Sequence, residues 1–184
     1  MHHKLGILLM IFVLAGVLAA QEMRHEEVNH APTPADDAKA SSDQVPDVYA
    51  ISGHFDRILI LRFKYDTDLL AGIEKMVKQE RIKNAVILSA AGSVRNYSLH
   101  QVTNRTFPSK DMYVKNPTGP ADLISMNGYV INGRVHAHMT LASPKKAFGG
   151  HLEPGTNVFT FAIVTLGVLD DGVDLSKVDD KSYR

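Results

Sequence analysis

The 184-residue sequence contains no cysteine and no tryptophan. The missing cysteines exclude disulfides, thiolate metal ligands, thiol nucleophiles and lipid attachment to a cysteine. The formal net charge is zero, since 20 basic residues balance 20 acidic ones. Proteins that bind nucleic acids normally show a basic excess, so the total charge gives that function no support. Without thiolates, we expect nitrogen or oxygen atoms as metal ligands, and nine histidines are present.

The chain has one long apolar run, of sixteen residues, at positions 5–20. It follows a short basic start and is shorter than the roughly 20 residues that a membrane-spanning helix needs. Small residues, Ala19 and Ala20, end it. We expect residues 1–20 to be a signal peptide, the folded part to be secreted or periplasmic, and no stable membrane span to remain after cleavage. The alternative is an uncleaved N-terminal anchor.

The remaining sequence divides into three segments by composition. Residues 21–47 are rich in Pro, Ala, Ser and acids and lack apolar periodicity, which predicts a flexible acidic linker. Residues 48–170 have the composition of one globular domain, and residues 171–184 form a polar tail with little to bury. From residue 48 onwards, 17 basic and 13 acidic residues give a net charge of +4. These charges are scattered, which is typical of a solvated surface.

The domain reads as an α+β fold, with a mostly antiparallel sheet and one main helix. Residues 57–64 are rich in branched aliphatic side chains and predict a strand. Apolar residues then recur at helical spacing from Leu69 to Val77, after a cap at Asp66 or Thr67. Further strands are predicted over residues 85–91, where Gly92 ends the strand, 94–102, 121–131, 134–142 and 156–169, with a loop of about seventeen residues over 104–120.

A histidine pair lies on the strand that follows Asn132-Gly133, a dipeptide typical of a two-residue hairpin turn. Because side chains alternate along a strand, Arg134, His136 and His138 point to one face, with the two histidines about 7 Å apart at their bases. His151 follows thirteen residues after His138, behind a Gly-Gly pair. Three neutral imidazoles are the ligand set of an open zinc site. The alternative is that these are ordinary surface histidines.

The run GRVHAHMTLASPKKAFGGHLEPGTNVF, residues 133–159, closely resembles the signature of the plants and prokaryotes conserved (PPC) domain family. Residues 57–70 resemble the opening strand and helix start of that family, and residues 89–99 resemble its Gly-Ser-Val strand. The resemblance spans about 50–170. It implies an α+β domain that assembles as a homotrimer and holds zinc through His136, His138 and His151, as in the similar acetolactate decarboxylases.

The sequence departs from the family pattern in two places. Many relatives carry a glutamate where this chain has Phe161-Ala162-Ile163. The DNA-binding label of the family comes from members with a basic AT-hook segment, which this sequence lacks. An exported protein would also meet little duplex DNA, and the charge of +4 is unpatterned, so we do not expect this chain to bind nucleic acid.

These observations favour a metal-dependent lyase or hydrolase that acts on a small carbonyl or carboxylate compound. Glu153 is a weak candidate for the catalytic acid or base, and Arg134 is a weak candidate for binding a carboxylate. The alternatives are a non-enzymatic trimeric module with a structural metal, and a DNA-binding protein. The other histidines considered, His25, His30, His54 and His100, are expected to be polar surface or partly buried groups.

Overall fold

The computed structural model describes residues 24–28, as a backbone strand, and 41–180. The described residues form nine strands and one helix. In chain order these are β1 (Arg24–Val28), β2 (Phe55–Phe63), α1 (Leu69–Gln79), β3 (Ala85–Val94), β4 (Tyr97–Val102), β5 (Asp111–Asn116), β6 (Ala121–Ile131), β7 (Arg134–Ser143), β8 (Lys146–Leu152) and β9 (Val158–Leu169). The predicted signal peptide, 1–20, lies outside the described residues.

All nine strands belong to one antiparallel sheet, in the order β1-β5-β4-β8-β7-β6-β3-β9-β2. The single helix contacts β2 and β7. This arrangement confirms the predicted α+β fold with a mostly antiparallel sheet. Among the described residues, no helix has the length and hydropathy that a membrane crossing requires.

The helix begins one or two residues later than the sequence predicts. Asp68 is the cap, since its backbone is extended and its carboxylate accepts the Ala71 N–H at 2.9 Å. Asp66 instead adopts a positive φ of 63° and pairs with Arg95. The prediction that Asp66 or Thr67 caps the helix is therefore wrong, because these residues form the turn that leads to it.

The core lies between the helix and one face of the sheet. The helix buries Leu69, Ile73 and Val77, and the strands alternate buried and exposed residues. On β7 the buried positions are Ala137, Met139 and Leu141. His136 and His138 therefore lie on the outward face of the sheet, as the alternation predicts.

The β6–β7 hairpin turns at the predicted dipeptide. Asn132 and Gly133 have φ values of 51° and 78°, as a type I′ turn requires. The buried side chain of Asn84 accepts the Asn132 N–H at 3.0 Å, which fixes the turn against the start of β3. The turn therefore fixes the register of β7 against β6, and with it the positions of His136 and His138.

Two segments that the sequence assigns to irregular chain contain strands. Asp111–Asn116 lies in the predicted loop 104–120 but pairs along its whole length with β4. Arg24–Val28 lies in the predicted linker 21–47 but pairs with β5. Both strands are short and have no clear alternation of apolar and polar residues. They are defined by backbone hydrogen bonds to the neighbouring strand, so the apolar pattern of the sequence did not predict them.

Strand β3 does not end at Gly92 but continues to Val94, and β4 starts only at Tyr97. Gly92 has a φ of 152°, and a Cβ at this position would clash with the carbonyl oxygen of Phe161 on β9. This glycine therefore permits a close approach of two strands and does not end one.

The C-terminal tail also differs from its prediction. Val173 and Leu175 are each only 5% exposed and pack against Ile131, at the end of β6. The tail therefore buries two apolar side chains on the sheet, and the prediction that it has little to bury is wrong.

Candidate metal centre

Three neighbouring strands bring histidines into one row on the outward face of the sheet. His138 on β7 is the register partner of His151 on β8, and His151 is the partner of His100 on β4. Directly paired residues point to the same face of a sheet, so the three rings are adjacent. His136 lies two residues before His138 and joins the row from the side.

The close spacing of β8 to β7 and β4 at this row depends on Gly149 and Gly150. A Cβ on Gly149 would clash with the carbonyl oxygen of Met139 on β7, and one on Gly150 would clash with that of His100 on β4. The two glycines therefore let β8 fit between its neighbours immediately before His151.

The three predicted ligands converge. One ring nitrogen from each of His136, His138 and His151 lies within 4.8 Å of the others. The Nε2 atoms of His136 and His138 are 3.3 Å apart, and the His151 ring meets both others edge-on. Two nitrogens of a tetrahedral zinc site, with Zn–N bonds of 2.0–2.1 Å, lie about 3.3 Å apart. The donor set and its spacing therefore fit a divalent metal.

Burial favours the neutral form, which a metal requires, at His138 and His151. Burial, followed by the nearby His100, His136 and His138, lowers the pKa of His151 to about 4. Burial, followed by His136 and His100, also lowers the pKa of His138. Since a metal binds the neutral imidazole, His151 needs to lose no proton for binding near pH 7.

His100 and Glu153 form a second group beside the first. Glu153 Oε1 lies 2.6 Å from His100 Nδ1, and the His100 ring stacks on His151 with 4.5 Å between centroids. Their side chains are about 20% exposed. The partial burial of His100 agrees with the prediction of a polar surface or partly buried group, but its place in the histidine row was not predicted. Its role could not be predicted because it depends on β4 lying beside β8, which no local pattern indicates.

Asp179 is a further residue that the sequence did not predict. Its Oδ2 atom lies 3.0 Å from Nδ1 of His136, and both side chains are about one-third exposed. The residue lies in the tail beyond β9, and the composition of that tail gave no signal for a site.

A pocket of about 350 Å³ opens beside the histidines, and its walls include Asn127, Tyr129, His136, His138, Val178 and Asp179. This volume suits a small molecule. The two weak catalytic candidates differ in position, since Glu153 belongs to the histidine row whereas Arg134 lines another groove, with Glu74 and Lys78 of α1.

Residues 50–170 match the family model of the Plants and Prokaryotes Conserved (PCC) domain, the domain also abbreviated PPC. The chain belongs to this family. The match covers the sequence from just before β2 to the end of β9 and therefore includes all four histidines of the row. Asp179 and the tail that carries it lie outside the match.

Part of the chain is also similar to part of longer proteins. The chain is 28% identical, over 111 residues, to a protein named bifunctional protein GlmU from Synechococcus sp. strain JA-3-3Ab. This alignment covers 60% of the chain and 17% of that protein, so the chain spans less than a fifth of the length of the curated relatives it matches.

Solved structures share the PCC fold. A plant- and prokaryote-conserved protein from Pyrococcus horikoshii is 25% identical, with a TM-score of 0.51 over 68% of this chain and 85% of that one. A protein described as metal-containing, from Archaeoglobus fulgidus, is 23% identical, with a TM-score of 0.57 over 67% and 86%. A candidate DNA-binding protein from Bacteroides thetaiotaomicron is 16% identical, with a TM-score of 0.51 over 70% and 85%.

Proposed function

We propose that this PCC-domain protein is a metal-dependent lyase or hydrolase that acts on a small compound carrying a carbonyl or carboxylate group. The observation that carries the proposal is the convergence of His136, His138 and His151 beside a pocket of small-molecule size. We take zinc as the preferred ion because its open sites use three nitrogen ligands. The similar protein from Archaeoglobus fulgidus, described as metal-containing, agrees with this proposal.

A bound divalent metal would polarise a carbonyl oxygen and lower the pKa of a bound water. The residues of the chain supply the rest of the chemistry. Glu153 accepts a hydrogen bond from His100 and orients this ring next to His151, so the pair can accept or hold a proton at the His100 Nε2 atom. Asn127 and Tyr129 line the pocket and can hydrogen-bond to a polar substrate.

Turnover of small esters, 2-oxo acids and acetohydroxy acids tests this proposal, measured with and without a chelator. We expect turnover that the chelator abolishes and that added zinc restores. A Glu153→Gln variant should keep its metal and lose at least tenfold in turnover, because a general acid or base contributes that much or more. The matched control, Glu74→Gln on the exposed face of α1, should be unchanged. Absence of turnover, with a metal that only raises the melting temperature, would favour the structural-metal alternative.

We also propose that the protein is exported and assembles as a homotrimer. Support for export comes from the sequence of residues 1–20 alone. Support for assembly comes from large apolar side chains that the described chain leaves exposed on the outward face, including Ile60, Phe159 and Phe161. A reporter fused to the first 30 residues should be exported. A reporter that stays in the cytoplasm would contradict the export proposal.

DNA binding is the second candidate function, because the structural relative from Bacteroides thetaiotaomicron carries that description. This relative weighs against the expectation that nucleic-acid binding is absent. Salt-dependent retention of duplex DNA by the protein from residue 21 onwards would favour DNA binding. The absence of retention at 50 mM salt, where phosphate contacts are strong, would exclude it.

A further inference from the structure

The tail that follows β9 is fixed to the domain by polar and apolar contacts. The Asp170 carboxylate accepts the backbone N–H groups of His54 and Gly172, each at 3.0 Å. The buried Asn84 donates from Nδ2 to the carbonyl oxygen of Val173 at 2.7 Å. Beyond these bonds, Val173 and Leu175 are buried against Ile131. The path of the tail is therefore defined before it reaches the pocket.

The described part of the tail reaches the candidate metal centre. Val178 and Asp179 form part of the pocket wall, and Asp179 Oδ2 lies 3.0 Å from His136 Nδ1. The opposite ring nitrogen, Nε2 of His136, is the one that faces His138. One nitrogen of His136 is thus bound to the tail, and the other points towards the remaining ligands.

We propose that the tail is a component of the metal site and that Asp179 is the positioning residue for His136. The inference rests on the proposed metal site. A carboxylate that accepts a hydrogen bond from the Nδ1–H group of an imidazole fixes the tautomer and orientation of the ring. The Nε2 lone pair is then free to bind the metal. Removal of such a partner typically weakens metal binding 10- to 100-fold. Because the tail lies outside the residues that match the PCC domain, this contribution is supplied by a segment beyond the family domain.

The competing interpretation is an ordinary surface ion pair, which contributes little and makes no difference to a metal. The two interpretations predict different results for metal affinity. If Asp179 positions His136, its loss weakens metal binding while the metal-free protein unfolds at nearly the same temperature. If the pair is only a surface contact, its loss changes neither quantity.

The test is a zinc titration of the protein from residue 21 onwards, in competition with a chromophoric chelator. Asp179→Ala removes the acceptor and should weaken zinc binding 10- to 100-fold. Asp179→Asn keeps an uncharged acceptor and should give an intermediate loss. Asp171→Ala, which removes a carboxylate from the exposed part of the same tail, is the matched control and should bind zinc within twofold of the wild-type protein. The melting temperature of each metal-free variant reports on its folding.

Zinc affinity of Asp179→Ala within twofold of the wild type would overturn the role of Asp179 and leave the three-histidine site intact. An equal loss in Asp171→Ala and Asp179→Ala would also overturn it, since the effect would then belong to the charge of the tail. A wild-type protein that binds no zinc would instead overturn the proposed metal function, and this inference with it.

Discussion

At the scale of single residues, two carboxylates each contact the Nδ1 atom of one histidine. Glu153 faces Nδ1 of His100, and Asp179 faces Nδ1 of His136. In a neutral imidazole, an Nδ1 that donates to a carboxylate leaves Nε2 as the acceptor. Both histidines are therefore expected in one defined tautomer.

Long-range ¹H–¹⁵N correlation spectra of the metal-free protein test this expectation. At pH 7.5 we predict that His100 and His136 carry their proton on Nδ1. Glu153→Gln should reduce this preference at His100 alone and leave His136 unchanged. If either residue in the wild-type protein has a protonated Nε2 and an unprotonated Nδ1, the predicted hydrogen bond from Nδ1 to the carboxylate is wrong.

Asp170 provides a prediction for the pH dependence of stability. The hydrogen bond from the His54 backbone, followed by that from Gly172, lowers its pKa from 3.8. A group whose folded pKa lies below its unfolded value stabilises the fold above the unfolded pKa and loses this contribution as the pH falls through the folded pKa. Asp170→Asn should therefore melt at a lower temperature than the wild type at pH 6–7, and the difference should shrink below about pH 4. A difference that grows on acidification would have the wrong sign.

The residues that the sequence predicts at the site are those that local pattern determines. His136 and His138 are two positions apart on one strand, and His151 follows a Gly-Gly pair that the strand spacing requires. His100 and Asp179 could not be predicted in this way. Their positions depend on which strands are neighbours and on how the tail folds back, and both are long-range properties of the chain.

At the scale of elements, Asp68 links the helix to the turn that follows the site. One carboxylate oxygen accepts the Ala71 N–H, and the other accepts the Gly155 N–H at 2.6 Å. Gly155 lies two residues after Glu153 and has a φ of 98°. The cap therefore also holds the chain just beyond the histidine row.

We predict that Asp68→Ala lowers the free energy of unfolding by about 1–2 kcal/mol, as loss of a helix cap does. Urea denaturation of the metal-free protein measures this change. Thr67→Ala, at a position where the sequence alone suggests a cap, should cost about 0.5 kcal/mol or less. Equal losses in the two variants would contradict the assignment of the cap to Asp68.

The helix and the β6–β7 hairpin are the elements that the sequence predicts best. Their signals, an apolar stripe and an Asn-Gly turn, are complete within the element itself. Strands β1 and β5 lack such a signal. They exist because β4 offers an edge on which β5 and then β1 can pair, so only the assembled sheet determines them.

At the scale of the whole molecule, the outward face of the sheet has two parts. One part carries the histidine row, and the other carries exposed apolar side chains on β2 and β9. The register places Ile58 and His136 in the same outward row across β2, β9, β3, β6 and β7. An exposed apolar surface of this kind is typical of an interface, and this one lies next to the pocket.

Light scattering after size-exclusion chromatography tests the proposed trimer. The protein from residue 21 onwards should have three times the mass of one chain, and Phe161→Asp should shift it to the monomer because a carboxylate would be buried without a partner. Val102→Asp changes an exposed apolar residue at the end of β4 and should leave the trimer intact. A monomeric wild-type protein would contradict this proposal.

The metal content of the purified protein, measured by inductively coupled plasma mass spectrometry, tests whether His136, His138 and His151 bind a metal ion. We predict about one zinc or similar divalent ion per chain, because three imidazoles form a single open site. His136→Ala and His151→Ala should each lose this ion, and His54→Ala, at a histidine outside the row, should retain it. A folded wild-type protein that holds no metal after zinc is supplied, or unchanged metal content in His136→Ala and His151→Ala, would contradict the proposed metal site.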